Sequence, residues 1–185
     1  MNDLRLIRDQ KIIQFDNDQN FKKDDFYISN SNQHIVKLID DWPKWEKNFL
    51  NITGDKYSGK THLINIFIKK FKGIKFHANS LTDKDLKTIK VHENIILENM
   101  DENINEKLIY SLLNIIDLDN KFIIITSRKP LVDINFTLVD LKSRTKNFLL
   151  QKIEKPDDEL MFALILKNLS DRQISIDKKL INFVV

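Results

Sequence analysis

Short apolar runs alternate with helical recurrences along most of this chain. Ile35, Val36, Leu38 and Ile39 fall on one face of a helix expected over 32–42, which Pro43 closes off. The stretch 48–53 is apolar and ends at Gly54. Over 61–71, Leu63, Ile64, Ile66, Phe67 and Ile68 recur with helical spacing, so strand, loop and helix follow one another. Further strands are expected at 74–78, 94–98 and 122–126, separated by helices over 83–89 and 105–116. After a last strand at 148–152, Pro156 is placed in the first turn of a helix running to about 169. Its missing N–H costs nothing there, and Asp157, Asp158 and Glu159 complement the helix dipole. Asp177 is expected to cap one more helix, cut off at Val185. The alternation predicts an α/β fold with a largely parallel sheet covered by helices on both faces, followed by a partial helical subdomain.

The first 25 residues break this pattern, being polar and irregular apart from Ile12, Ile13 and Phe15, and read as an arm or linker. The domain division expected is an arm at 1–25, a core at 26–153 and the start of a helical subdomain at 154–185.

Composition narrows the function classes. With 185 residues the chain suits one medium domain plus at most the start of a second, and 42% apolar with 31% charged residues is globular. No run of about 18 uncharged apolar residues could span a bilayer, and residues 1–8 lack the apolar core of a secretory signal. No membrane role and a cytoplasmic location are expected. There is no cysteine, and the four histidines show no ligand-like spacing. The net charge of +3 comes from 30 basic and 27 acidic side chains intermixed along the chain, which gives no footprint for nucleic acid. Any DNA contact is expected to be indirect.

Only 3 glycines occur, and two of them stand in Gly54-Asp55-Lys56-Tyr57-Ser58-Gly59-Lys60-Thr61, a match to G-x-x-x-x-G-K-[ST] between an expected strand and helix. A phosphate chain needs a loop without Cβ atoms at its closest approaches, backbone N–H groups turned inward and a helix N-terminus facing the anion. Lys60 is assigned to the β- and γ-phosphates of ATP or ADP, and the Thr61 hydroxyl to Mg²⁺. Lys56 and Tyr57 are bulky for such a loop interior, and a tyrosine at positive φ is strained, so reduced affinity is expected.

The run Ile95-Ile96-Leu97-Glu98 ends an apolar strand on a carboxylate, making Glu98 the second candidate for Mg²⁺. Asn99 follows, where many ATPases of this type keep a carboxylate that polarises the attacking water. An amide orients water but cannot accept its proton, and general-base help is worth about 10²- to 10⁴-fold. Slow intrinsic hydrolysis is expected.

Several segments, in order, resemble the AAA+ domain of the DnaA family of bacterial replication initiators, and more closely its regulatory branch, Hda. They are Asp25-Phe26-Tyr27-Ile28-Ser29-Asn30-Ser31-Asn32, Ile39-Asp40-Asp41-Trp42-Pro43-Lys44-Trp45, Gly59-Lys60-Thr61-His62-Leu63, Thr126-Ser127-Arg128-Lys129-Pro130 and Asp140-Leu141-Lys142-Ser143-Arg144. The resemblance runs from about residue 10 to 185. It implies that Phe26, Tyr27 and Ile28 lie near the adenine, that His62 belongs to the nucleotide site, and that Thr126 and Ser127 form sensor 1. Arg144 would be an arginine finger given in trans, and 154–185 the start of the helical lid. Gln10-Lys11-Ile12-Ile13-Gln14-Phe15 is similar to the sliding-clamp-binding peptide of the regulatory members, with Gln10, Ile13 and Phe15 as its anchors.

There are departures from the initiator pattern. Asn99 replaces the second acid, Tyr57 occupies a normally small position, and the lid is expected to stop short of a sensor-2 arginine and of the initiator's DNA-binding domain. What the resemblance implies is a regulator of replication initiation. It would promote hydrolysis of initiator-bound ATP together with the sliding clamp, while its own pocket holds ADP. Two other readings stay open: an autonomous AAA+ ATPase that remodels or loads a replication protein, and a nucleotide-locked adaptor. A homo-oligomer is compatible with each.

Overall fold

A computed structural model describes residues 26–101 and 103–173. Five parallel strands, β1 (Phe49–Thr53), β2 (Ile74–His77), β3 (Asn94–Met100), β4 (Phe122–Ser127) and β5 (Leu149–Lys152), form one sheet in the order β2-β3-β4-β1-β5. The central strands are apolar nearly throughout because helices cover both faces. Helices α1 (Gln33–Asp40) and α2 (Lys60–Phe71) pack on one face, where Ile35, Ile39, Leu63, Ile64 and Phe67 meet Leu50, Ile52, Ile96 and Ile124. On the other face lie α3 (Asp83–Ile89), α4 (Glu106–Leu118) and α5 (Val139–Thr145), meeting Ile95, Leu97, Ile123 and Ile125. Helix α6 (Asp158–Asp171) follows β5. The α/β parallel sheet covered by helices is therefore as the apolar pattern predicts.

Aromatic packing anchors the strand that feeds the phosphate loop. Trp45 stacks on Phe67 at 5.9 Å, Trp42 meets Phe71 at 4.8 Å, and both indoles reach Phe122. Such pairs are worth about 0.5–1.5 kcal/mol each beyond their buried area, and they tie the segment before β1 to α2 and to the start of β4.

Two local expectations change. Pro156 lies ahead of α6 rather than in its first turn: Asp157 is the N-cap, its carboxylate accepting from the Leu160 N–H at 2.8 Å. Helix α5, which carries Arg144, was too short for periodicity to reveal as an element; of its seven residues only Leu141 and Thr145 are buried. The helix expected after Asp177 lies outside the described residues. Among the described residues no helix is long and apolar enough to cross a membrane.

Candidate nucleotide site

Every strand of the sheet ends toward the same edge, and the predicted phosphate loop, acidic strand end and sensor residues converge there. The loop from Gly54 to Gly59 joins β1 to α2. Thr53 lies beside Ser127 in the β1/β4 register, and β3 runs alongside β4 on the other side. This edge, at the carboxyl ends of the strands, is where an open parallel sheet offers a binding crevice.

The loop meets the steric requirements of a phosphate cradle. A Cβ on Gly54 would stand 2.6 Å from the Ser58 hydroxyl oxygen, and Gly59 has φ 91°, a left-handed conformation, as the residue that begins α2. Lys60 folds over the loop, its ammonium donating to the carbonyls of Gly54 and Asp55 at 2.7 Å each and to Ser58 Oγ at 3.3 Å. Burial pushes the Lys60 ammonium below its usual range; the Asp55 carboxylate pulls it back up, and the Arg128 cation lowers it further. That concentration of positive charge at a helix N-terminus suits an anion.

Tyr57 does have a positive φ, 68°, but its ring is 89% exposed with the Lys56 ammonium 4.8 Å from its centroid. Both bulky side chains turn outward. The expected crowding of the loop interior is therefore absent; what remains is backbone strain of about 1–3 kcal/mol.

On the helical side, Phe26 meets His62 with ring centroids 5.2 Å apart, and its ring edge is the nearest atom to a Cβ built on Gly59, at 3.4 Å. Tyr27 donates its hydroxyl to Glu159 of α6 at 2.9 Å, and that hydrogen bond to a carboxylate, with its charge, raises the phenol above its usual range. Ile28 is half exposed. The segment holding Phe26, Tyr27 and Ile28 thus spans from the start of α2 to α6, and the Ser29–Asn32 turn that follows is closed by Ser29 N–H donating to Asn32 Oδ1 at 3.0 Å.

Glu98 is buried at 1% exposure near the end of β3. One of its oxygens, Oε2, pairs with Lys75 of β2 at 3.2 Å, while Oε1 is buried without a partner. A buried, unpartnered carboxylate oxygen is costly in a closed structure and fits a hydrated cation. Glu98 Oε1 and the Thr61 hydroxyl, in the first turn of α2, are hard oxygen donors, the kind that would suit Mg²⁺ carried with phosphates. Among the described residues there is no group of three or more His, Cys, Asp or Glu that could hold a metal.

Beyond Leu97 the β3/β4 register shifts, and Asn99 takes φ 59°. Its N–H donates to Thr126 Oγ1 at 3.1 Å, while its side-chain amide faces His77 Nδ1 at 3.4 Å. Thr126 thus fixes the irregular stretch of β3 that carries Asn99. Ser127 donates to the Lys129 carbonyl at 2.7 Å and accepts from the Asn51 amide at 2.9 Å. Neither Asn51 nor Lys75 was singled out from the sequence; a polar residue inside the apolar run of β1 was the available signal for Asn51.

Arg144 stands apart from this group. It sits near the end of α5, five residues before β5 begins, and its Nη1 donates to Asp117 near the end of α4 at 3.2 Å, with the guanidinium 5.5 Å from the Tyr110 ring centroid. Helices that lead back into parallel strands end at the opposite edge of the sheet, so Arg144 cannot serve the phosphate loop of its own chain. Gln10, Ile13 and Phe15 lie outside the described residues.

Solved structures share this fold. The AMPPCP-bound DnaA from Aquifex aeolicus superposes with a TM-score of 0.72 at 18% identity, over 90% of this chain and 60% of that one. Domain III of DnaA from Thermotoga maritima gives 0.72 at 19% identity, covering 90% and 80%. DnaI gives 0.56 at 12% identity, covering 72% and 87%. The chain spans about 60% of the length of the Aquifex DnaA chain it matches. No family model matches the chain, and neither does any curated protein. The fold is that of the AAA+ P-loop proteins, with DnaA and DnaI among its structural neighbours.

Proposed function

We propose that this chain binds ATP or ADP through Gly54, Asp55, Lys56, Tyr57, Ser58, Gly59, Lys60 and Thr61, and acts as a DnaA-like regulator of replication initiation. The observation that carries nucleotide binding is the lysine-capped loop: Lys60 at 2.7 Å from two loop carbonyls, beside a glycine whose Cβ would meet Ser58 Oγ at 2.6 Å. Phosphate oxygens would take over the Lys60 N–H donors, while Phe26, Tyr27, Ile28 and His62 would flank the base. Thr61 and Glu98 Oε1 would hold Mg²⁺, which when bound would neutralise charge on the β- and γ-phosphates. In this reading 26–153 is the nucleotide-binding core and 154–185 the start of a lid.

Asn99 favours a regulatory role over autonomous hydrolysis. It occupies the irregular end of β3 held by Thr126, where a base would act, yet carries an amide. Arg144, at the other edge of the sheet, would then complete a neighbouring protein's site, promoting hydrolysis of ATP on the initiator, with Gln10, Ile13 and Phe15 joining the sliding clamp. An arginine supplied in trans can raise phosphoryl transfer by about 10³- to 10⁵-fold. A second reading, the nucleotide-locked adaptor, draws support from Asp117, which holds Arg144 within its own chain.

The test measures hydrolysis of initiator-bound ATP with clamp on DNA, adding the wild-type chain, Lys60→Ala or Arg144→Ala. The regulator reading expects stimulation by wild type and its loss in both variants. Stimulation that survives Arg144→Ala would sink the finger. Turnover by the isolated chain at rates ordinary for an ATPase would favour the autonomous reading instead.

A further inference from the structure

Lys75 pairs with Glu98 of the candidate nucleotide site but has no part in the assignment above. Strand β2 alternates: Ile74 and Phe76 pack into the core beneath α3 and α4, so Lys75 points to the face covered by α2. Its ammonium reaches Asn65 Oδ1 of α2 at 3.1 Å and Glu98 Oε2 of β3 at 3.2 Å. Asn65 stands one helical turn beyond Thr61, on the helix whose N-terminus faces the phosphates. Lys75 therefore bridges the helix of the phosphate loop and the carboxylate assigned to the metal.

The Glu98 carboxylate has 2% of its side-chain surface exposed, against 32% for Lys75. One negative charge, nearly dry, thus already has a covalently tethered cation on one oxygen. A divalent ion arriving at Oε1 would share that single charge with the ammonium and be repelled by it. In a poorly screened setting this repulsion is strong at a few ångströms.

We propose that Lys75 is a built-in counter-cation for Glu98, which makes nucleotide binding by this chain nearly independent of Mg²⁺. The inference rests on the nucleotide-binding part of the reading above and departs from its assignment of Glu98 Oε1 to Mg²⁺: the pocket is a nucleotide holder in which the acidic strand end is neutralised internally. Lys75 acts as a positioning residue, holding Glu98 and Asn65 in fixed relation while setting the metal requirement.

The experiment is calorimetric titration of ADP and of ATP into the wild-type chain, in Mg²⁺ and in EDTA, repeated with Lys75→Gln and Lys75→Met. Glutamine keeps donors for Asn65 and Glu98 while removing the charge, so it serves where methionine leaves Glu98 buried and unpaired and the chain fails to fold. In wild type the Kd should change by less than about threefold between the two buffers, and in Lys75→Gln it should weaken about tenfold or more on removal of Mg²⁺. A merely structural lysine would alter affinity equally in both buffers and leave that ratio unmoved, which would overturn the proposal. So would a wild-type ratio of about tenfold or more, with the nucleotide-site reading intact. Absence of binding in either buffer would overturn both.

Discussion

The side-chain amide of Asn51 in β1 donates to the hydroxyl of Ser127 at the end of β4 at 2.9 Å, inside the sheet edge that carries the phosphate loop. The same amide group donates to the Ile125 carbonyl at 3.1 Å, and its oxygen accepts from the Leu131 N–H at 3.1 Å. One buried side chain therefore ties β1, which enters the Gly54–Gly59 loop, to β4 and to the turn beyond it. Asn51→Leu leaves the Leu131 N–H without this acceptor and should cost about 2–3 kcal/mol of stability. It should also weaken ADP binding, because Thr126 and Ser127 lose their reference to β1. Urea denaturation and nucleotide titration of the same variant check both effects; unchanged stability would mean that the buried triad of hydrogen bonds contributes nothing net.

The steric case for Gly54 is equally specific. A Cβ there meets Ser58 Oγ at 2.6 Å, with Ser58 Cβ and Ile153 Cβ at 3.3 Å. The nearest contact is a side-chain tip, so Gly54→Ala should lose about 1–3 kcal/mol, as overpacking does. Adding Ser58→Ala should recover part of that loss but not all, since the 3.3 Å contacts remain. Denaturation midpoints of the single and double variants decide; full recovery would locate the entire cost in the hydroxyl.

The loop was legible in the sequence because its demands are local: a Cβ on Gly54 would meet Ser58 Oγ, Gly59 takes a left-handed φ of 91°, and Lys60 follows directly. Glu98 was legible too, as the end of an apolar run. Lys75 was not, because Ile-Lys-Phe-His reads as an ordinary half-exposed strand. Only the register that sets His77 beside Glu98, and the packing of Asn65 over β2, brings the lysine to the carboxylate. Tyr57 shows the reverse limit: its positive φ follows from loop geometry, but the outward direction of the ring depends on what surrounds it. The remoteness of Arg144 from the loop is a property of topology, set by which end of each strand a helix leads into.

Helix α5 begins at a position with no side-chain cap of its own, and Glu106 of α4 pins the two residues that lead into it. Its carboxylate accepts from the Thr137 N–H at 2.9 Å, the Leu138 N–H at 2.6 Å and the Thr137 hydroxyl at 3.0 Å. Burial works to raise the proton affinity of Glu106, but the hydrogen bonds from Thr137 and Leu138 together outweigh it and leave the group below its ordinary 4.5. A folded value below the unfolded one means the contribution to stability is present above pH 4.5 and disappears as pH falls through the folded value. The stability difference between wild type and Glu106→Gln should therefore be full at neutral pH and close to zero once the carboxyl is protonated. Urea midpoints measured across pH 3–7 give the answer, and a difference that persists at the acid end would assign the effect to packing rather than to the charge.

This anchoring matters because α5 carries Arg144, and the state of Arg144 separates the two proposed roles. Its partner Asp117 has 57% of its side-chain surface exposed and the pair spans 3.2 Å, so this is a surface ion pair worth about 0–1 kcal/mol and screened by salt. Asp117→Asn should thus change stability by less than about 0.5 kcal/mol while freeing the guanidinium to reach outward. If Arg144 completes a site on the initiator, that variant should stimulate initiator ATP hydrolysis more than wild type at low ionic strength, and the gap should narrow as salt weakens the competing pair. If the chain is an adaptor, Asp117→Asn and Arg144→Ala should both leave clamp-dependent activity where it was. A single hydrolysis assay across a salt series, run with these two variants beside wild type, distinguishes a finger held in reserve from a structural arginine.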